Sequence, residues 1–445
     1  MSLLELNETE LQAVLDALNN QINGVRDDVD NQAATIAAYA QLLATHSDAI
    51  NALNARVAAL ESGEPRTFFV APDGDDGDDG SAGHPWLTWN RASLSLAPGD
   101  TLILLPGTHI HFLDDTGSEH KIIFAGEPDR PITIRGDGAI IQYVSLEGQG
   151  GVLDGITGRY LFNRCNHVTL RNCTFDADSN LYNVITLYHD HHHITIDGCE
   201  LSGATRSGID VLGVSDVVIR NCHIHHTARG IQIKKGALDV LVECCDIHDF
   251  TDGAIMGLGT TCTGDCQVTG SAWVRDPDTP ILERYQAKNV IVENNRIHHG
   301  HSWTTVRLGG WRDYTFIHNE FHDLDMDSRL SHVIRVDSQH WEFKDATALA
   351  YTPHRDCDPP CTSAECNRII LHSGQGGVIQ YNTLRDFGGA TLLKVVEPCD
   401  IPDMDYNVVS DSAYSLTGPR DAYDLHGVEY APDEVPDIEG NTIYS

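Results

Sequence analysis

The sequence predicts a right-handed parallel β-helix preceded by an N-terminal α-helical coiled-coil stalk, and three observations carry that expectation. A short phrase recurs as RNCTF, DGCEL, RNCHI, ECCDI, ENNRI, HNEF, QYNTL and GNTIY, anchored on Cys173, Cys199, Cys222, Cys245, Asn295, Asn319, Asn382 and Asn441. Its steps are 26, 23, 23, 50, 24, 63 and 59 residues, a unit of roughly 24 met once or exceeded by an insertion. Each phrase follows an apolar run of period two, as in HVTLRNCTF, and a second such run (VITLY, GIQIKKG, TTVRLGG, HVIRVD, TLLKVVE) comes after it. Strands without intervening helices give a solenoid, and the crossover rule makes it right-handed.

Residues 1–62 are assigned to the stalk. Leu15, Ile22, Val29, Ile36, Leu43, Ile50 and Val57 take the a positions, while the d positions include Val25, Gln32 and His46. β-Branched residues at a and polar residues at d favour a parallel homotrimer, a means of joining a larger fibre or particle. The opening MSLLELNETELQ has neither a basic n-region nor an apolar h-region, so no signal peptide is expected in the sequence as it stands. No run is apolar enough to insert in a membrane.

Residues 63–67 form a linker and 68–445 the β-helix, with Cys-bearing loop insertions near 259–288 and 338–367. The β-helix opens with Phe69 to Pro72, an Asp/Gly turn from Asp73 to Gly80, Pro85 to Thr88, Pro98 to Thr101 and Pro106 to Thr108. This order resembles the opening segment of secreted β-helix proteins of the pectate-lyase-like superfamily. The resemblance covers roughly residues 66–445 and implies the fold; that superfamily holds lyases, hydrolases, epimerases, phage tailspikes and adhesins.

Stacking explains the anchors. An Asn at a repeated turn can hydrogen-bond the next rung, and a small buried Cys fills the same slot, so Cys173, Cys199, Cys222 and Cys245 read as a structural thiol ladder. Cys262, Cys266, Cys357, Cys361, Cys366 and Cys399 lie where the spacing breaks. Disulfides pinning long loops fit them best, with a zinc site as the alternative.

With 65 acidic against 29 basic residues the formal charge is -36, which excludes a general nucleic-acid or anionic-membrane binder. Against that background the second runs, aligned as IKK, VRL, IRV and LKV, place Lys234, Arg307, Arg335 and Lys394 in one outward column. Gly257 occupies the rung between Lys234 and Arg307; Thr186, Asp210, Gln232 and Asp337 lie beside the column. Such a stripe suits the carboxylates or sulfates of a glycan. The arrangement resembles the alginate and chondroitin lyases of polysaccharide lyase family six. The resemblance implies that Lys234 or Lys235 abstracts the uronate C5 proton while Arg307, Arg335 or a calcium ion neutralises the carboxylate. Gly257 stands where that pattern would have Arg.

Histidine occurs 24 times. His225, His248, His298 and His322 each lie three residues after an anchor; His226, Asp249, His299 and Asp323 follow them, and this second column could hold a divalent metal or be a packing solution. The turn HDHHH at 189–193 is expected at the surface, with opportunistic metal affinity. Asp73, Asp75, Asp76, Asp78 and Asp79 offer hard oxygen ligands for calcium or form a plain acidic turn. Trp273, Trp303, Trp311 and Trp341 are candidates for sugar stacking or for anchoring.

The readings converge on a trimeric fibre or tailspike-like protein, extracellular, on a cell surface or in a virion, whose β-helix binds a surface polysaccharide with or without depolymerising it. The alternatives are a polysaccharide lyase for uronic-acid glycans and a structural adhesin or filament subunit.

Overall fold

A repeat of 24 residues is long enough for three short strands and three corners, and the backbone takes that form. The computed structural model describes residues 8–62, 64–109, 120–136, 138–179, 182–188, 191–257, 285–326, 332–337, 339–342, 368–371, 376–386, 391–395, 408–410 and 442–444. They belong to two units, Met1–Glu64 and Pro65–Ser445. The division falls within residues 63–67, the expected linker.

In the first unit Glu8–Ser62 is one α-helix of 55 residues, about 82 Å long at 1.5 Å per residue. Leu15, Leu18, Ile22, Val25, Val29, Ile36, Tyr39, Leu43 and Ile50 are exposed along it. Among the described residues no helix is long and apolar enough to cross a membrane.

In the second unit the strands stack in parallel on three faces. Face one carries the runs ahead of the anchors: His192–Asp197, Ser215–Arg220, Ala237–Glu243, Ala287–Glu293, Trp311–Ile317 and Val378–Gln380 pair in succession. Face two carries the short strands just after the anchors, including Glu200–Ser202, His223–His225, Asp246–His248, Arg296–His298 and Glu320–His322. Face three carries the second runs: Asn183–Leu187, Ser207–Leu212, Arg229–Lys234, Gly253–Met256, Thr304–Gly309, His332–Asp337 and Thr391–Val395. The longer strands Tyr143–Asp154 and Tyr160–Arg171 run from face three into face one without a break.

Alternation sends one side chain in two inward, and in-register stacking turns those residues into columns. Phe175, Leu201, Ile224, Ile247, Ile297, Phe321 and Leu384 form one such column, all buried. Each fully buried aliphatic or aromatic side chain contributes about 1.5–3 kcal/mol, so the stack rather than any single coil supplies the stability.

The corner between faces one and two explains the recurring phrase. Asn172, Gly198, Asn221, Cys244, Asn294, His318 and Tyr381 precede the anchors and all have φ between 52° and 62°. Asn and Gly enter that left-handed region at least cost, so RNC, DGC and ENN are corner signatures. The next residue turns inward: Cys245 N donates to Asn295 Oδ1 (2.8 Å), Asn295 N to Asn319 Oδ1 (3.0 Å) and Asn319 N to Asn382 Oδ1 (2.9 Å). Each Asn Nδ2 also donates to a face-one carbonyl, that of Val242, Val292 or Phe316. Cys173, Cys199, Cys222 and Cys245 are buried free thiols on the same ladder. Hydrogen bonding to neighbouring ladder thiols, with burial, pushes Cys199 and Cys245 well above the ordinary thiol value. All four are buried and pack in the corner.

Of the expected insertions, residues 258–284 and 343–367 lie outside the described residues, and with them Trp273 and Cys262, Cys266, Cys357, Cys361 and Cys366; Cys399 does too. The second insertion leaves the solenoid through an antiparallel pair, Gln339–Glu342 with Arg368–Leu371.

Candidate functional site

The register of face three corrects the predicted basic column. Gln232, not Lys234, stands opposite Met256, which stands opposite Arg307, followed by Arg335 and Lys394. Lys234 lies two residues further along, opposite Leu212. A slip of two residues keeps every side chain on its face, so alternation alone could not reveal it. Lys234 and Arg307 are consequently two rungs and two residues apart, roughly 12 Å between Cα atoms. The Lys394 side chain lies outside the described residues.

Lys234 has a different partner. Its Nζ lies 3.1 Å from Asp210 Oδ1 on the preceding rung, an ion pair without hydrogen-bond alignment, with 3% and 6% of the two side chains exposed. Asn183 Nδ2 donates to Asp210 Oδ2 at 3.2 Å and to Thr186 Oγ1 at 3.2 Å. Burial pushes the Lys234 amine down to about 8, against the pull of Asp210; nearby Arg206 and Lys235 push the same way as burial. Burial also lowers Lys235, whose backbone N–H donates to Gln286 Oε1 at 2.9 Å from a left-handed corner with φ 60°. A buried amine with a value near 8 is neutral often enough to act as a base.

Towards the N-terminal coils the same outward columns become aromatic. Phe162 stands opposite Thr186, which stands opposite Asp210. The Phe162 ring lies 5.1 Å from Tyr188 and 6.1 Å from Tyr160, and Arg164 Cζ sits 4.7 Å over Phe162 and 5.4 Å over Tyr188. Tyr143 and Tyr188 are each 37% exposed. The sequence reading missed this group because Tyr160–Arg171 serves two faces and only its second half carries the repeat. The signal was present in the alternation of YLFNR and in the last residue of VITLY.

The family described as a right handed beta helix region matches residues 155–323. This chain carries a right-handed parallel β-helix. Among solved structures it is similar to a pectate lyase (14% identity, TM-score 0.39, covering 58% of this chain and 70% of that one). A lacto-N-biosidase from Eubacterium ramulus is similar at 11% identity and TM-score 0.45, over 85% of this chain and 68% of its own. The A-module of the Azotobacter vinelandii mannuronan C-5 epimerase is similar at 12% and 0.39, over 78% and 89%. None of the three assigns a reaction to this chain.

The β-helix separates the candidate tryptophans. Trp303 is 65% exposed where the chain enters face three, whereas Trp311 is fully buried. Gly257 belongs to Trp311: a Cβ at 257 would lie 2.2 Å from Trp311 Nε1, so this glycine makes room for a core indole rather than replacing an arginine. Trp311 is therefore a packing residue and not a sugar platform. The Trp341 side chain lies outside the described residues.

On face two, His225, His248, His298 and His322 stack with ring centroids 5.2, 4.8 and 4.8 Å apart and planes within 12°. The predicted metal column His226, Asp249, His299 and Asp323 instead occupies the left-handed corner, with φ between 49° and 51°. His226 Nε2 is 3.9 Å from Asp249 Oδ2, and Asp249 and Asp323 lie beside His248 and His322 Nδ1 at 2.7 and 2.6 Å. The four enter no cluster of three ligand groups among the described residues. Such clusters form on the face itself, at Glu200, His223 and His225 and at His223, Asp246 and His248; a third gathers His167, His192 and His193.

Three carboxylates of the Asp-rich turn accept hydrogen bonds from the chain. Asp76 accepts from Leu87 N, Thr88 N and Thr88 Oγ1 at 3.0, 2.9 and 2.6 Å, holding the start of the helix Trp89–Ser95. Asp75 and Asp79 accept from Gly77 N and Ser81 N. Asp73, Asp75, Asp76, Asp78 and Asp79 enter no three-group cluster among the described residues.

Proposed function

We propose that this chain binds an acidic polysaccharide along face three of its β-helix, and that copies associate through the helix Glu8–Ser62 into a trimeric fibre. One observation carries the reading: an outward track has part-exposed ends, Tyr160, Phe162, Arg164 and Tyr188 at one and Arg307 and Arg335 at the other, with the buried Asp210 and Lys234 between them. From Phe162 to Arg335 it spans six rung steps, roughly 29 Å. Aromatic faces stack on sugar rings, and the two guanidiniums address carboxylates or sulfates on a molecule otherwise strongly acidic. Trp303 adds a further exposed ring near the arginine end.

A second reading, depolymerisation by β-elimination, is favoured by Lys234 alone. A neutral Lys234 would take the C5 proton of a uronate; the electron pair forms the C4–C5 double bond as the C4–oxygen bond breaks and the leaving oxygen takes a proton from water. Asp210 would hold the amine in place and stabilise the ammonium formed.

The test is a glycan array with the full chain and with Tyr188→Ala and Arg307→Ala, followed by incubation with uronic-acid polymers while unsaturated-uronate absorbance is read. Binding to acidic glycans weakened by both substitutions supports the first reading. Binding to none overturns it. A rise in absorbance lost in Lys234→Met supports elimination.

A further inference from the structure

The three-group cluster His223, Asp246 and His248 lies on face two, away from the track on face three, and nothing in the proposed glycan function uses it. His223 and Asp246 stand opposite each other on adjacent strands, and His248 follows two residues after Asp246 on the same outward side. One donor atom from each of the three lies within 4.8 Å of the others.

Hydrogen bonding fixes which nitrogen is free. His248 Nδ1 lies 2.7 Å from Asp249 Oδ2 and carries the proton that carboxylate accepts, so Nε2 presents its lone pair. That lone pair faces His223 Nε2 at 2.6 Å. Two imidazole nitrogens held this close share a proton as an N–H···N hydrogen bond, and a cation can take that proton's place. The carboxylate of Asp246 stands beside them, steadied by His298 Nε2 at 2.7 Å from its Oδ1. A histidine oriented through its other nitrogen by a carboxylate is the usual support of a metal-bound imidazole. Glu200, in the same column one rung earlier, and His225 supply further donors next to His223.

We propose that His223 Nε2, His248 Nε2 and a carboxylate oxygen of Asp246 bind one divalent transition-metal ion of the zinc class, with Asp249 orienting His248. Two imidazoles and a carboxylate suit such an ion, which holds nitrogen at about 2.0–2.1 Å in tetrahedral array. The two Nε2 atoms then sit about 3.3 Å apart, a small opening for half-buried side chains. The ion ties two successive coils of the solenoid, so its loss loosens the stack where every face-two contact depends on register.

The experiment titrates the full chain with zinc, and with cobalt as a spectroscopic probe, in a His192→Ala/His193→Ala background that removes the cluster with His167. The expected result is one equivalent bound, tetrahedral cobalt bands, and a raised thermal midpoint. His223→Gln and His248→Gln abolish all three, and Asp249→Asn weakens binding about 10–100-fold while keeping the stoichiometry. Circular dichroism confirms that each variant retains its strands. No binding by the folded parent overturns the proposal, as does undiminished binding in both glutamine variants; the 2.6 Å contact is then a shared proton.

Discussion

Lys234 and Asp210 form a buried ion pair across adjacent rungs, Nζ 3.1 Å from Oδ1, on the outward side of a solenoid whose inward side is wholly apolar there. Ile209, Val211, Ile231 and Ile233 fill the core behind them. Replacing both partners by apolar residues of similar volume is neutral or stabilising by about 1–4 kcal/mol, whereas removing one strands the other charge at a cost of about 3–5 kcal/mol. Urea unfolding of Lys234→Met/Asp210→Leu against Lys234→Met checks this, and a double variant less stable than the single one contradicts it.

Burial holds Lys234 at about 8, below its unfolded value, and the sign of the pH dependence follows. The folded state disfavours the ammonium, so the stability contribution of this group is complete above the unfolded value and is lost as the pH falls through about 8. The lost contribution is about 3 kcal/mol. If Lys234 is a base, the elimination rate climbs as the pH rises through the same value and then levels. A rate profile flat between pH 6 and 9 removes Lys234 from the chemistry.

The ladder gives a prediction of a different kind. Asn319 accepts from Asn295 N and Nδ2 at 3.0 Å each and donates to Val292 O and Asn382 Oδ1 at 2.9 and 3.0 Å. Asn319→Ala leaves several buried groups without partners, at about 1–3 kcal/mol each where water cannot enter. Asn319→Asp, at a pH where it is neutral, keeps the acceptor and one O–H donor and loses one of the two donations, so it falls between wild type and alanine. Chemical denaturation reads both.

At Gly257 the steric requirement is local. Gly257→Ala puts a methyl against the Trp311 indole and Arg307 O, and forcing one carbon into a packed core costs about 1–3 kcal/mol. Trp311 fluorescence shifts with it, and Trp311→Phe relieves the clash. An unchanged midpoint in Gly257→Ala shows that the core yields there.

These residues also show what the sequence could and could not disclose. The anchors and the corner asparagines were legible because one small set of side chains satisfies a left-handed corner and its orphaned amides, and that demand repeats every coil. Lys234 was placed on the right face but in the wrong column, since a strand pattern of period two is blind to a shift of two residues. The expected metal column His226, Asp249, His299 and Asp323 lies in the corner rather than on the face, for a related reason. His226 and Asp249 repeat as regularly as His225 and His248, but only backbone conformation shows that the first pair sits in the corner and the second on the face. Phe162 and Tyr188 were hidden because the strand Tyr160–Arg171 turns from one face to another at His167, whose left-handed φ of 49° no Gly or Pro signals in the sequence.

The helix Glu8–Ser62 leaves Leu15, Ile22, Val29, Ile36, Leu43 and Ile50 exposed at every a position described, and an isolated helix gains nothing from that stripe. Burial against other copies does, and the a and d residues select their number. Ile and Val at a, with Val25, Gln32 and His46 at d, favour three strands over two. Light scattering of the full chain is expected to give three times the monomer mass, and deletion of residues 1–62 to give a monomer. Gln32→Leu/His46→Leu raises the melting temperature of the helix signal, because two polar layers leave the seam, and it loosens the preference for three strands. A monomeric full chain contradicts the fibre reading while leaving the glycan track on face three to be tested alone.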